Sequence, residues 1–416
     1  MKSVLLGLLT ACTTLSSPQV LRPDLAGKVV DSTGRPLART TVMVYHAGVK
    51  TGFSTYCPSC YADCGKRVLT DLDGNFRIKS LAPNLWFELL AIQDGYVPTF
   101  SEKADPAKTP TVEIHLAPKP PSGDFSGTIR GHVVDESGFP ISDAVVEPVG
   151  ILEGKASIYG MVDGLEPMAV TNKMGDFEIS YARPVPKMLL NVEARAMAPK
   201  FITMPTGQER HSVTLSEGAA ITGRIVANGK PISNAEIGLT PKNRGGFGGE
   251  LAIIGDPYKE IRIGTNADGT FTATNVPEAK EWYVYAKMQS LSQGAVDPVE
   301  VQIKEKGQYV HAPDLVVHRG YRVIGKVVLS DKKPLPPGMR ITIESDRVWD
   351  AQTTTLAEDG NFKFANLPAG DYHISPAVKG YAPKGTRFHP FETSVSVSND
   401  IKSLTVRVFP RASIEF

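Results

Sequence analysis

The sequence has few cysteines and tryptophans, no surplus of either charge and no long apolar run. Lys and Arg number 45 against 44 Asp and Glu, a net charge of +1. A nucleic-acid binder would show a basic excess, so no nucleic-acid partner is expected. No stretch reaches the ~20 apolar residues that a membrane-spanning helix needs. No segment sustains a 3.6-residue period with caps, which argues against long amphipathic helices. Disorder is excluded by 41% hydrophobic and only 21% charged residues. What is plentiful is turn-forming: 38 Gly and 32 Pro, together about 17% against a usual figure of about 12%. At about 100–200 residues per domain, 416 residues imply two to four domains. Each is large enough to bury a core without disulfide or metal support.

The N-terminus, MKSVLLGLLTACTTLSSPQ, has a basic Lys2, a short apolar run from Val4 to Leu9 and small residues after it. That is the shape of an export signal. Leu9-Thr10-Ala11-Cys12 resembles a bacterial lipobox. The resemblance implies lipidation at Cys12, with residues 1–25 as signal peptide or lipoprotein tether, and, with Thr13 following, sorting to the outer membrane or cell surface. Plain signal cleavage with release to the periplasm or outside is one alternative. No export at all is another, because the apolar run is short.

One pattern repeats four times with a period near one hundred. It opens as Gly27-Lys-Val-Val-Asp-Ser-Thr-Gly-Arg-Pro36 and Gly131-His-Val-Val-Asp-Glu-Ser-Gly-Phe-Pro140. It returns as Gly223-Arg-Ile-Val-Ala-Asn-Gly-Lys-Pro231 and Gly325-Lys-Val-Val-Leu-Ser-Asp-Lys-Lys-Pro334. Inside each copy a turn recurs: Thr70-Asp-Leu-Asp-Gly-Asn-Phe76, Thr171-Asn-Lys-Met-Gly-Asp-Phe177, Thr265-Asn-Ala-Asp-Gly-Thr-Phe271 and Leu356-Ala-Glu-Asp-Gly-Asn-Phe362. Glycine accepts the positive φ of such a turn without steric cost. Period-two runs follow, with Phe76 and Ile78 on one face and Arg77 and Lys79 on the other; this alternation marks half-buried strands. The prediction is an all-β chain of four tandem seven-stranded β-sandwiches in an elongated array. They span 26–118, 127–216, 217–318 and 319–416, with a Pro-rich linker at 119–126. The short joints at Ser216–Ala220 and His318–Gly320 predict that the last three units are held more rigidly than the first.

These openings, the Asp-Gly turns, the Leu81-Ala-Pro83, Val276-Pro277 and Leu367-Pro368 elements and the Gly95-Tyr96-Val-Pro98 and Gly380-Tyr381-Ala-Pro383 closes resemble the carboxypeptidase regulatory-like domain. Residues about 26–118 and 127–412 share the likeness, which is weaker in the third unit. It implies an Ig-like, transthyretin-like (prealbumin-like) sandwich. Members of that family are modules appended to peptidases, adhesins, carbohydrate-binding and surface proteins. The shared motifs shape turns, so they speak for fold and not for activity.

Candidate chemistry is sparse. Beyond Cys12 the thiols are confined to Cys57-Pro-Ser-Cys60-Tyr-Ala-Asp-Cys64, an insertion before the Thr70 turn. In an exported protein two of them are expected to pair as a disulfide. A three-thiolate metal site and a redox Cys-x-x-Cys are the alternatives. His389-Pro-Phe-Glu392 has the His-x-x-Glu spacing of a zinc site, but no downstream His completes it. Asp71-Leu-Asp73-Gly74 lacks the further ligands of a calcium loop. Gly245–Gly249 lacks the Gly-Lys-Ser/Thr ending of a phosphate cradle. No Gly-x-Ser-x-Gly elbow occurs, and no residue stands out as a nucleophile. Trp86 and Trp282 follow the Pro element in their units and are expected in the core. Trp349, among charges, is expected to be exposed and is the candidate for stacking on a sugar. The reading is a non-enzymatic spacer or binding scaffold at the cell surface, with no cofactor. Its expected partner is a surface polysaccharide or another envelope protein. The alternatives are a carbohydrate-binding array and a hydrolase accessory with a redox- or metal-active Cys loop.

Overall fold

The computed structural model describes residues 22–51, 58–59, 61, 63–108, 111–120, 125–153, 156–160, 162–242, 260–278, 280–383 and 393–410. Cys12, Cys57, Cys60, His389, Glu392, Gly245–Gly249 and the last six residues lie outside them. The described chain is all β, apart from one 3-10 turn at Met288–Ser290. Its strands form eight sheets, arranged as four pairs.

Each pair is built on the repeat. The opening strand is central in one sheet: Leu25–Asp31, Thr128–Val134, Ala219–Ala227 and Tyr321–Leu329. It pairs antiparallel with the strand after the Asp-Gly turn and parallel with a closing strand. In the first copy these partners are Asn75–Ile78 and Thr111–Leu116. The second sheet of that pair runs Arg67–Leu69, Thr41–Val49, Leu85–Ile92, Thr99–Phe100, all antiparallel. Inward side chains of both sheets, such as Val29, Phe76 and Ile114 against Val42, Phe87 and Leu89, close one core. Three further cores repeat this arrangement. Among the described residues seven strands make up the first sandwich, and the others add short edge strands.

The repeat letters have local reasons. Gly74, Gly175, Gly269 and Gly360 all have φ between +76° and +86°. The Asp71 carboxylate accepts the Asp73 and Asn75 amides at 3.0 and 2.8 Å, which closes the turn.

The joint between the first two sandwiches differs from the expectation. The outer faces of Thr41–Val49 and Leu85–Ile92 are not polar. Met43, Tyr45, Leu90 and Ile92 pack against Val145 and Met168 of the second sandwich. An Arg39–Asp143 ion pair at 2.7 Å joins equivalent positions of the two repeats. The first unit is thus packed on the second in spite of the Pro-rich linker. The near-continuous apolar run Leu85-Trp-Phe-Glu-Leu-Leu-Ala-Ile92 was the sign, since a strand buried on both faces loses its alternation.

Trp282 is fully buried in the third core. Trp86 is not a core residue. It lies half-buried on the outward face of its strand, beside Gly48 and under the Lys103 ammonium, 4.3 Å from the ring centroid. Its neighbours Leu85 and Phe87 take the inward positions, so alternation sends Trp86 out.

Candidate functional site

Cys64 is the one thiol of the Cys57–Cys64 insertion within the described residues. Its Sγ lies 3.4 Å from the Pro58 carbonyl oxygen. Burial pushes the thiol up to about 11, with nearby Asp63 adding to the shift. A thiol held protonated is a poor attacking nucleophile. Among the described residues no group of three His, Cys, Asp or Glu is gathered for a metal ion. Asp63 nearby is buried and takes Arg22 and Lys66, both at 2.7 Å, which ties the insertion to the start of the first sandwich.

Trp349 is half-buried and not exposed. Its neighbours Val348 and Asp350 are buried in the contact between the third and fourth sandwiches, and this draws the segment inward. Its carbonyl oxygen accepts from Lys287 Nζ, with Tyr285 Oη 3.3 Å away.

That contact holds the densest buried polar chemistry among the described residues. Tyr283 and Tyr285 alternate with Trp282 and Val284, so their rings point out of the third core toward Val348. Glu260 stands at the centre. Its carboxylate takes Lys287 Nζ at 2.8 Å, Arg262 Nε and the Tyr285 hydroxyl. Burial works against the Arg262 cation, and Glu260 and Glu236 outweigh it and raise its pKa. Burial, reinforced by Glu260, raises the Tyr285 hydroxyl well above its ordinary value. Asp350, 3% exposed, accepts the Met288 amide at 2.8 Å through Oδ2. Its Oδ1 has no hydrogen-bond partner among the described residues. The nearest cation, Lys287 Nζ, is 3.8 Å away. Burial drives the Asp350 carboxyl up to about 7, with Lys287 pulling the other way.

None of these residues was legible as a group. Lys287 and Asp350 stand 63 positions apart and look like ordinary surface charges. The available signal was the outward Tyr283–Tyr285 pair, two large rings on a strand face that needs a cover.

A second concavity, of about 300 Å3, lies between the first and second sandwiches. Tyr96 and Phe125 form part of its wall, with Lys119, Arg130, Glu166 and Glu178 along it. Lys119 reaches Glu166 at 2.8 Å and Glu178 at 3.4 Å, and the Arg130 guanidinium sits 5.2 Å from the Phe125 ring centroid. These charges are paired with one another. Among the described residues no helix is long and apolar enough to cross a membrane.

Two family models match parts of the chain. One is described as the second β-sandwich domain of a BOS complex subunit, NOMO1-like, over residues 318–408. The other, Dioxygenase_C, is described as dioxygenase and covers residues 18–88. Each spans well under half of the chain, so neither assigns it to a family. The carboxypeptidase regulatory-like family suggested by the motifs is not the one matched; what stands of that expectation is the β-sandwich. No curated protein matches. Among solved structures, a streptococcal ancillary pilin shares 15% identity over 69% of this chain and 99% of its own, with a TM-score of 0.22. The Bacillus anthracis TIE protein shares 11% over 96% of this chain and 76% of its own, at 0.19. The minor pilin GBS52 of Streptococcus agalactiae shares 13% over 48% and 98%, at 0.23. Likenesses this faint decide nothing about function.

Proposed function

We propose that this chain is exported, anchored to a membrane through an acylated Cys12, and works without catalysis as a spacer or scaffold at the cell surface. One observation carries the spacer reading: direct contacts bridge every joint between successive sandwiches. Arg39 pairs with Asp143 at the first joint. Asn275 Nδ2 donates to the Ala194 carbonyl at the second, 2.8 Å away. The Met288 amide donates to Asp350 and the Gly294 amide to Asn366 Oδ1 at the third. The Met288–Asp350 bond is buried, the Asn275 and Gly294 bonds are part-buried and the Arg39–Asp143 pair lies at the surface. A loose string of beads has no need of such contacts. The units of this spacer are 26–118, 127–216, 217–318 and 319–416.

The anchor rests on Leu9–Cys12. The nine residues between Cys12 and Arg22 give a tether of at most about 35 Å. Intact mass of membrane-extracted protein tests it: a mature chain starting at an acylated Cys12 is expected. Unmodified Met1 on cytosolic protein would overturn both anchor and export.

Polysaccharide binding is the second reading. The observation favouring it is the cleft between the first two sandwiches, where Tyr96 and Phe125 line the wall beside paired charges able to meet sugar hydroxyls. Glycan-array binding that Tyr96→Ala weakens would support it, and an array without signal would remove it.

A further inference from the structure

We propose that the joint between the third and fourth sandwiches is a proton-operated latch, closed while Asp350 is protonated and loosened when it ionises.

Among the described residues, three carboxyl groups (Glu236, Glu260 and Asp350) share two cations, Arg262 and Lys287. Glu260 lies within hydrogen-bond reach of both cations and of the Tyr285 hydroxyl, so it is the natural seat of the negative charge. Asp350 is the carboxyl left over. No donor reaches its Oδ1, and Lys287 is too far for a hydrogen bond. The room beside it is about 20 Å3, enough for about one water molecule. An ionised carboxylate in such a place is poorly solvated, and a neutral one is tolerated.

The groups around Asp350 come from both sandwiches. Lys287, Tyr285 and the Met288 amide belong to the strand Lys280–Ala286 and the turn after it. Glu260 and Arg262 lead the strand Ile261–Gly264. Arg347 precedes Asp350 in its own loop, and Tyr372 comes from the strand Gly370–Ala377 of the fourth sandwich. Lys287 is the one close cation that favours ionisation, helped by the Met288 and Ala351 amides; Glu260 opposes it, and burial of the whole site opposes it most. Met288, inserted into the fourth core, hangs from Asp350 Oδ2 by its amide. Pushing Asp350 toward solvent therefore draws on the packing of the joint itself. Among the described residues the second joint has no buried carboxyl of this kind, and Asn275 bonds the Ala194 carbonyl with a neutral amide.

Spin labels on non-natural residues at Thr272 and Lys363, read by double electron–electron resonance in the full chain, test this. One narrow distance is expected at pH 5.5 and a broadened distribution at pH 8.5, with the change centred near neutrality. Labels at Glu209 and Thr272, across the second joint, are expected to stay unchanged over the same range. Asp350→Asn keeps a neutral side chain at every pH and is expected to hold the narrow distance throughout. Lys287→Met removes the one close cation and is expected to move the change to higher pH. Identical wild-type distributions at pH 5.5 and 8.5 would overturn the latch without any variant. So would an Asp350→Asn protein that still broadens at pH 8.5.

Discussion

The ring of Phe362 occupies the space that a side chain on Gly325 would need. A Cβ there would lie 2.5 Å from the ring and 2.4 Å from the Leu404 carbonyl oxygen. The same pairing sets Gly27 against Phe76, Gly131 against Phe177 and Gly223 against Phe271. The opening glycine and the phenylalanine after the Asp-Gly turn are thus two halves of one contact. Gly325→Ala is expected to destabilise by roughly 1–3 kcal/mol, the usual cost of overpacking. A urea midpoint unchanged from wild type would show that the ring moves aside freely.

Trp86 and Trp282 follow similar sequence elements and face opposite ways. Trp282→Ala should cost ~3–5 kcal/mol, as for other large core truncations. Trp86→Ala removes a half-buried ring that packs outside the core and should cost about 1 kcal/mol or less. Chemical denaturation of the two variants compares them directly, and equal losses would contradict the assignment.

Asp31 is almost fully buried, and its carboxylate accepts from Thr33 Oγ1 at 2.6 Å and from the Thr33 and Arg35 amides at 2.9 and 3.0 Å. The Thr33 hydroxyl and these amides hold it down to about 2, against the penalty of burial. A lowered pKa means that its stabilisation is present above about pH 4 and fades as the pH falls toward 2. Asp31→Asn is expected to be less stable at pH 7 and to show a flatter loss between pH 4 and 2. Parallel acid limbs for the two proteins would remove the claim.

Asn275 and Asn366 both hold a φ near +60° beside the glycine that opens their own sandwich, Gly218 and Gly320 respectively. Asn275→Gly keeps that conformation and loses only the bond to Ala194, a change of about 0.5–1.5 kcal/mol. Asn275→Val adds the steric cost of a left-handed residue, roughly 1–2 kcal/mol more. Thermal unfolding separates them; equal effects would mean that the backbone conformation contributes nothing.

Cys64 should resist alkylation at pH 8 and label as the pH approaches 11, because burial keeps its thiol protonated. Peptide mapping after iodoacetamide treatment reads this. Rapid labelling at pH 8 would show a more open insertion than the one described.

Much of the fold was legible because the repeat is a set of local rules. A glycine fixes the turn, alternation fixes a face, and four copies of Gly–x–Val or Gly–x–Ile with a distant Phe mark the same strand pair. The joints were hidden for the opposite reason. Arg39 with Asp143, and Lys287 with Asp350, are single charges far apart in sequence that gain meaning only when two sandwiches meet. Trp349 looked exposed because charged neighbours surround it, yet Asp350 is buried and turns the segment inward. Trp86 was misplaced by one step of alternation, which the Pro elements do not register.

The spacer reading is tested most directly by the spread of distances between the first and third sandwiches. Spin labels on non-natural residues at Glu113 and Thr272, both exposed, would be read at pH 6 in the intact protein. Fixed joints predict one narrow distance peak. A broad distribution, as from sandwiches tumbling on flexible links, would contradict the account.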